Sequence, residues 1–96
     1  MEKLLYIGSL AESRIRMYPL RHQTILYRKI ALMAKGHIPD ARSLGGGLWE
    51  LGIHSSSGYR VYYCIQKDCL WILLVGTKHT QQKDIPLAVK LQAELV

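Results

Sequence analysis

Three successive segments, each followed by a turn or loop, constrain the fold of this chain most strongly. Residues 49–54 and 59–66 alternate between apolar and more polar side chains, which is the two-residue period of a β-strand. Residues 70–75 are continuously apolar, as expected for a central strand that is buried on both faces. Because short connections join antiparallel neighbours, the pattern predicts a three-stranded antiparallel meander.

The segment before the meander combines a strand signal with two helix signals. Residues 3–7 are short and apolar, and they predict a first strand. Ser9 opens a capping-box pattern, which predicts a helix over residues 10–18. An apolar stripe at helical spacing predicts a second helix over residues 21–35. The glycine-rich segment 37–47 is predicted to be a loop, without the residues of a phosphate-binding loop.

A C-terminal helix is predicted after the meander, with Asp84 as its cap and Pro86 in its first turn. The resulting order of strand, two helices, three antiparallel strands and helix is that of an α+β fold. We expect the helices to pack on one face of the sheet. A chain of 96 residues with 49% hydrophobic content fits one domain over residues 1–96.

The chain carries a clear excess of positive charge. Thirteen Lys and Arg residues against seven Asp and Glu residues give a net charge of +6, which favours nucleic acid or an acidic protein as a partner. The alternative is a soluble basic protein whose charge has no specific partner. Cations on the predicted helices either form a surface that binds an anionic partner or belong to the ordinary solvated faces of amphipathic helices. These helical cations are Arg14, Arg16, Arg21, Arg28, Lys29 and Lys35.

Cysteine usage and hydropathy indicate a cytoplasmic protein. Cys64 and Cys69 flank a predicted hairpin turn, and two cysteines do not make a secreted disulfide scaffold. Zinc-ligand spacing, a signal-peptide pattern and an apolar run of membrane-spanning length are all missing from the sequence. We therefore expect reduced cysteines, no metal site, no cofactor and no membrane partner.

Arg60 is the principal candidate for a functional residue, because it interrupts an otherwise apolar strand. Burying an unpaired arginine is costly, so its side chain is expected to face a cleft or an anionic ligand. Lys78 and His79 follow the next predicted strand, and His54 ends the preceding one. A small sheet that gathers these side chains on one side is a plausible phosphate-handling surface.

Three motifs follow one another at characteristic spacing. They are Leu44-Gly45-Gly46-Gly47 with Glu50-Leu51, then Gly58-Tyr59-Arg60-Val61-Tyr62-Tyr63, then Gly76 through Lys78 with Thr80-Gln81 and Asp84-Ile85. These motifs resemble those of the RelE/ParE toxin superfamily, within its HigB-like branch of addiction module killer proteins. The similarity extends over about residues 30–95.

The resemblance implies a RelE-like fold and the toxin of a type II toxin–antitoxin system. Many members of the superfamily are ribosome-dependent mRNA endoribonucleases that inhibit translation without a metal or other cofactor. The 2′-hydroxyl of the RNA attacks the adjacent phosphate. The implied partners are a cognate antitoxin, expected to be a small helix-turn-helix protein, together with the ribosome and mRNA.

Such chemistry needs a base, cations for the phosphate charge and an acid for the leaving oxygen. The catalytic candidates are Arg60, Lys78, His54, His79 and Glu50. The candidates for RNA binding are Arg60, Tyr62, Lys78 and Lys83.

Each candidate also has a structural interpretation. Arg60 is expected either to bind the scissile phosphate or to form a salt bridge with Glu50. Lys78 is either a second phosphate ligand or a solvated loop residue. The histidines are either proton-transfer groups or inert surface residues. Tyr62 either stacks on a base or packs within the sheet.

Departures from the branch pattern leave two alternative functions open. Gly52 stands where the branch commonly has arginine, and His79 is gained in a loop that commonly carries an acidic residue. Asp84-Ile85 stands where RelE-type members use a tyrosine. The alternatives are a non-enzymatic, ParE-like toxin that binds gyrase, and a degenerate toxin that only binds its antitoxin.

Overall fold

The alternating and apolar segments form one five-stranded sheet in the computed structural model, which describes residues 2–38, 40–54 and 57–95. The predicted connection over residues 55–58 and the predicted turn residue Pro39 lie partly or wholly outside these ranges. In chain order the elements are β1 (Leu4–Ile7), α1 (Ser9–Arg16), α2 (Leu20–Ala34), β2 (Ala41–Gly45), β3 (Leu48–Ile53), β4 (Tyr59–Gln66), β5 (Cys69–Thr77) and α3 (Gln81–Ala93).

Strand β5 lies inside the sheet, whose strand order is β1-β5-β4-β3-β2. It pairs antiparallel with β4 and parallel with β1. This position explains the continuous apolar run, because a strand with neighbours on both edges and helices on both faces has no solvated side. The predicted α+β class and the three-stranded meander are confirmed.

The turn between β4 and β5 has the tight geometry that the sequence indicated. Lys67 and Asp68 both adopt positive φ angles, of 51° and 63°, and Gln66 pairs directly with Cys69. Two consecutive left-handed residues form the primed turn whose twist matches that of the strands. Cys64, also on this hairpin, is buried, and both cysteines are free thiols.

The helices cover both faces of the sheet, so the prediction that they pack on one face is wrong. Buried side chains from α1 and α2, including Ile15 and Ile30, pack against one face of β3, β4 and β5. On the other face, Ala88 of α3 packs against Tyr62 and Leu74. Because the central strand is apolar on both faces, a one-sided arrangement would leave half of it in water.

Strand β2 was missed, since residues 41–45 fall inside the predicted loop. This edge strand is partly exposed and lacks an apolar alternation, but it pairs antiparallel with β3. Glycine supports the turn that follows, because Gly46 and Gly47 have φ angles of 60° and 84°. The predicted N-terminal strand is confirmed as β1.

Two predicted helix starts are wrong. Gly8 rather than Ser9 is the N-cap of α1, and no side chain caps the helix there. A Cβ atom at Gly8 would lie 3.1 Å from the Ile72 carbonyl oxygen, which favours glycine at this position. Helix α3 begins at Gln81, with Thr80 as its cap, which leaves Pro86 inside the helix. No helix within the described ranges is both long enough and apolar enough to cross a bilayer.

A buried ion pair fixes the first turn of α3 against the sheet. The Asp84 carboxylate is 1% exposed, and it accepts hydrogen bonds from Arg14 Nη1 at 2.8 Å and from the Thr80 hydroxyl at 2.5 Å. Arg14 Nη1 also donates to the Val75 carbonyl at 3.2 Å. A side chain at Gly76 would collide with the carboxylate. Arg14 is therefore a structural residue rather than part of a solvated helix face.

We expect the substitution Arg14→Ala to lower the free energy of unfolding by about 3 kcal/mol, because it leaves the buried Asp84 carboxylate without its cation. Arg16→Ala on the same helix is the matched control. It removes an exposed pair with Glu12, which is worth about 0.5 kcal/mol. Urea denaturation of both variants measures the difference, and equal losses would contradict a stabilising role for the buried pair.

Candidate functional site

A cleft of about 410 Å³ lies where β3 ends, β4 begins and α3 starts. The antiparallel register of β3 and β4 places Gly52 opposite Arg60 and Glu50 opposite Tyr62. The first turn of α3 adds one side chain to the cleft wall. The lining residues are Asp40, Arg42, Glu50, Gly52, His54, Arg60 and Gln81.

Arg60 reaches the cleft without a carboxylate partner in the part of the chain that the structure describes. Its Nη1 atom donates to the Gly58 carbonyl at 3.2 Å, and no acidic side chain within the described residues lies within 4.0 Å of its guanidinium. The alternative salt bridge with Glu50 is not formed, because Glu50 pairs with Arg42 instead. The half-buried guanidinium therefore keeps its positive charge available for an anion.

Glycine at position 52 leaves one side of Arg60 open. A Cβ atom built at Gly52 would lie 3.5 Å from Arg60 Nη1, which is an ordinary van der Waals distance. The backbone there does not require glycine, since its φ angle lies outside the left-handed region. Position 52 can therefore accept a side chain beside the guanidinium.

Lys78 is linked to Arg60 through one backbone carbonyl. The Lys78 N–H donates to the Gly58 carbonyl at 2.9 Å, and this is the oxygen that Arg60 also contacts. The aliphatic part of the Lys78 side chain packs over Gly58, where a Cβ atom would lie 3.0 Å from Lys78 Cδ. Gly58 has a φ angle of 58°, so both its conformation and its contact favour glycine. The exposed Lys78 ammonium is a second cation at this end of the sheet.

Glu50 is a buried carboxylate with a partner on each oxygen. Its Oε1 atom accepts from Arg42 Nη2 at 2.9 Å, and its Oε2 atom accepts from Gln81 Nε2 at 2.8 Å. Arg42 and Gln81 were both missed as site residues. Arg42 lies on the strand that periodicity did not reveal, whereas Gln81 belongs to one of the three motifs. These contacts give Glu50 the role of joining β2 and α3 across the cleft.

Tyr62 is fully buried beneath the cleft, so its ring has no free face on which a base could stack. Its hydroxyl has no hydrogen-bond partner among the described residues. Burial, followed by the negative charge of nearby Glu50, raises the pKa of this hydroxyl far above its usual range. The contacts of Tyr62 are those of a packing residue.

The remaining candidates divide between the cleft and its surroundings. His54 is exposed and lines the cleft at the end of β3. His79 is exposed in the turn before α3, and Lys83 is exposed on the first turn of α3, but neither lines the cleft. The fold therefore brings Arg60, Glu50 and His54 together and leaves His79 and Lys83 outside.

Comparisons with known sequences identify one relative of this chain. No family model matches the chain. An uncharacterized protein of Haemophilus influenzae is 40% identical over 77 residues, which cover 79% of this chain and 78% of that relative. The chain belongs to the family of this Haemophilus influenzae protein.

Solved toxin structures share the fold at low sequence identity. An arginine-to-alanine double mutant of the Escherichia coli toxin RelE in its free state has a TM-score of 0.75 and 21% identity, and the match covers 94% of this chain and 97% of that one. A chain of the Mycobacterium tuberculosis toxin–antitoxin complex RelBE2 has a TM-score of 0.64 and 15% identity, with 81% and 100% covered. A chain of the intact Escherichia coli RelBE complex has a TM-score of 0.64 and 19% identity, with 78% and 95% covered.

These matches confirm the RelE-like fold that the motifs indicated. The HigB-like branch stays a prediction. Within the described part of this RelE-like fold, Arg60 lines the cleft without a carboxylate partner, and Lys78 lies outside the lining but shares the Gly58 carbonyl with it. That arrangement is suited to holding an anion.

We expect Tyr62→Phe to leave the free energy of unfolding unchanged or to raise it by up to about 1 kcal/mol, because it removes a buried hydroxyl that has no partner. The matched control is Tyr59→Phe. Its hydroxyl is 2.8 Å from His22 Nδ1, and removing it should cost about 1 kcal/mol. Urea denaturation compares the two variants. A larger loss for Tyr62→Phe would show that its hydroxyl is hydrogen-bonded in solution.

Proposed function

We propose that this protein is the toxin of a type II toxin–antitoxin system and acts as a metal-independent, ribosome-dependent mRNA endoribonuclease. The observation that carries the proposal is the Arg60 guanidinium, which lies in the cleft of a RelE-like fold and pairs with no carboxylate of the described residues. The motif resemblance supports the same activity, and the net charge of +6 suits association with RNA.

In the proposed reaction, a ribose 2′-oxygen loses its proton and forms a bond to the adjacent phosphorus. The bond from phosphorus to the 5′-oxygen breaks, and that oxygen takes up a proton, which leaves a cyclic phosphate and a free 5′-hydroxyl. Negative charge grows on the phosphoryl oxygens as this happens. Arg60 is proposed to stabilise that charge, with Lys78 as the second cation.

Proton transfer is assigned to His54 in this proposal. Its imidazole is exposed and lines the cleft, and histidine side chains transfer protons near neutral pH. Glu50 is less suited to act as a base, because Arg42 and Gln81 already occupy its two oxygens. Its proposed role is to hold the cleft walls together. His79 and Lys83 are assigned to contacts with more distant parts of the RNA or the ribosome.

Expression of the wild-type protein should arrest growth and produce cleaved transcripts, and Arg60→Ala should reduce cleavage by about 10²–10³-fold by removing the cation at the phosphate. Mapping of RNA ends after induction measures the effect. Arg21→Ala is the matched control, because Arg21 is an exposed arginine on α2 away from the cleft, and it should cleave as the wild type does.

Intact transcripts during growth arrest would contradict the nuclease assignment. Inhibition of supercoiling by purified gyrase in the same situation would instead support the ParE-like alternative. Equal loss of cleavage in the Arg60 and Arg21 variants would show that general positive charge, rather than the cleft, carries the activity.

A second candidate function, that of a degenerate toxin that only binds its antitoxin, is favoured by Gly52 and by the doubly bonded Glu50. Among the described lining residues, Arg60 is then the one arginine without a carboxylate partner, and the exposed Asp40 is the one carboxylate without a cation partner. Gly52→Arg distinguishes the candidates in the growth assay, because position 52 has room for a side chain. Toxicity that appears only in Gly52→Arg supports the degenerate toxin, and toxicity of the wild type rejects it.

The proposed antitoxin surface is a groove of about 340 Å³ between α2 and the end of β3. Ile25 and Leu32 provide partly exposed apolar surface, and the two cations Arg28 and Lys29 outnumber the one carboxylate in the lining, Asp40. We propose that an acidic, amphipathic helix of the antitoxin occupies this groove by charge complementarity and apolar burial. The groove shares His54 with the cleft, so its occupant would hinder the approach of the ribosome.

The double substitution Arg28→Glu with Lys29→Glu should weaken binding of the cognate antitoxin by on the order of tenfold or more, because it turns attraction into repulsion at the groove. Lys90→Glu on the exposed side of α3 is the control and should bind normally. Surface plasmon resonance gives both affinities. Strong loss of binding in Arg60→Ala, with none in the helix variant, would instead indicate that the antitoxin fills the cleft.

A further inference from the structure

Gln81 has a side-chain amide whose orientation is fixed by its surroundings. The residue is half-buried in the first turn of α3, and it lines the same cleft as Arg60. Its Nε2 atom donates to Glu50 Oε2 at 2.8 Å. An ionised carboxylate only accepts hydrogen bonds, so the amide nitrogen and not the amide oxygen must face Glu50.

Glu50 is itself held in place, and this makes the orientation of the amide firm. It is 5% exposed, and its other oxygen accepts from Arg42 Nη2 at 2.9 Å. The charged Arg42–Glu50 contact resists rotation of the carboxylate, because charge-assisted hydrogen bonds are stronger than neutral ones. The hydrogen bonds from Arg42 and Gln81 to Glu50 therefore prevent the Gln81 amide from exchanging the positions of its oxygen and nitrogen.

A fixed amide leaves unused hydrogen-bonding capacity beside the cleft. The Gln81 carbonyl oxygen and the second N–H of its amide have no partner among the described residues. An acceptor next to a donor on one planar group matches the edge of a nucleobase, whereas a phosphate offers acceptors only. The cleft thus combines a cation suited to phosphate with an amide suited to a base.

We propose that Gln81 is a specificity-determining residue that reads the edge of one nucleobase in the bound RNA, and that Glu50 is the positioning residue that orients it. This inference rests on the proposed RNA-directed function and assigns its sequence preference to a particular side chain. Recognition of this kind suits single-stranded RNA, in which base edges are free.

The alternative is that Gln81 only tethers α3 to the sheet. A tether would change stability, and it would weaken the binding of all RNA sequences equally if its loss disturbed the cleft. If Gln81 instead contacts a base edge, its loss would change the order of affinities for different RNA sequences. The two roles therefore differ in relative affinity and not in affinity alone.

The experiment measures binding of the purified protein to 2′-O-methyl tetranucleotides, which carry no attacking hydroxyl. The set varies one position at a time through A, C, G and U. Wild-type protein should prefer one base at one position by about three- to tenfold, as expected for one or two neutral hydrogen bonds. Gln81→Ala should reduce that preference to less than twofold, while preferences at other positions stay unchanged.

Two further variants distinguish contact of Gln81 with a base from a purely structural role in attaching α3 to the sheet. Gln82→Ala alters the neighbouring, exposed residue on the same helix and should keep the wild-type preference. Glu50→Gln keeps the size of the side chain, but the new amide can bond either the nitrogen or the oxygen of the Gln81 amide. The Gln81 amide can then adopt both orientations, so this variant should also reduce the preference for one base. Thermal unfolding of each variant confirms that the compared proteins are folded.

An unchanged ranking of tetranucleotides in Gln81→Ala overturns the inference while leaving the proposed function intact, provided that Arg60→Ala still abolishes binding. Wild-type protein that binds without any base preference overturns it in the same way. Absence of binding by the wild type rejects the inference together with RNA recognition by the isolated cleft. In that case, cleavage mapping in cells decides separately whether the proposed function survives.

Discussion

The architecture of the cleft depends on the buried carboxylate of Asp84. Arg14 and Thr80 supply its hydrogen bonds, and the bare backbone of Gly76 supplies the room it needs. This cluster fixes the first turn of α3 against β5, although most of the apolar contacts of that helix lie further along it. The position of Gln81 follows from the same constraint, because it lies one turn before Asp84. The buried Asp84 carboxylate thus determines where the side chain of Gln81 lies in the cleft.

A second carboxylate divides the cleft into a neutral part and a cationic part. Glu50 neutralises Arg42 and holds Gln81, so the positive charge that remains is concentrated on Arg60 and the nearby Lys78. A phosphate group would be attracted by the cations on one side of the cleft. On the other side it would meet polar groups that are already hydrogen-bonded to one another. This separation gives the cleft one side that is suited to an anion, although the charges of its lining residues nearly cancel.

The sequence predicted most helices and the central strands, because their periodicity is a local property of the chain. It failed for β2, whose exposed edge position imposes no apolar alternation, and for the start of α3. In the cleft, Arg60 was predicted from its unusual place in an apolar strand. The pairing of Asp84 with Arg14, and the burial of Tyr62, depend on contacts between residues far apart in sequence. No local pattern carries that information.

The parallel pairing of β1 with β5 joins the first strand to the last. Each of the other ladders joins strands that follow one another in sequence, but this one must wait until the four elements between β1 and β4, as well as β4 itself, have been made. Contacts of such long sequence separation slow folding, because the connecting chain must be ordered before they form. A nascent chain therefore has no completed sheet and no anchored α3 until β5 and α3 have left the ribosome. The cleft is assembled only after β5 and α3 are available, so a nascent chain that lacks them does not present it.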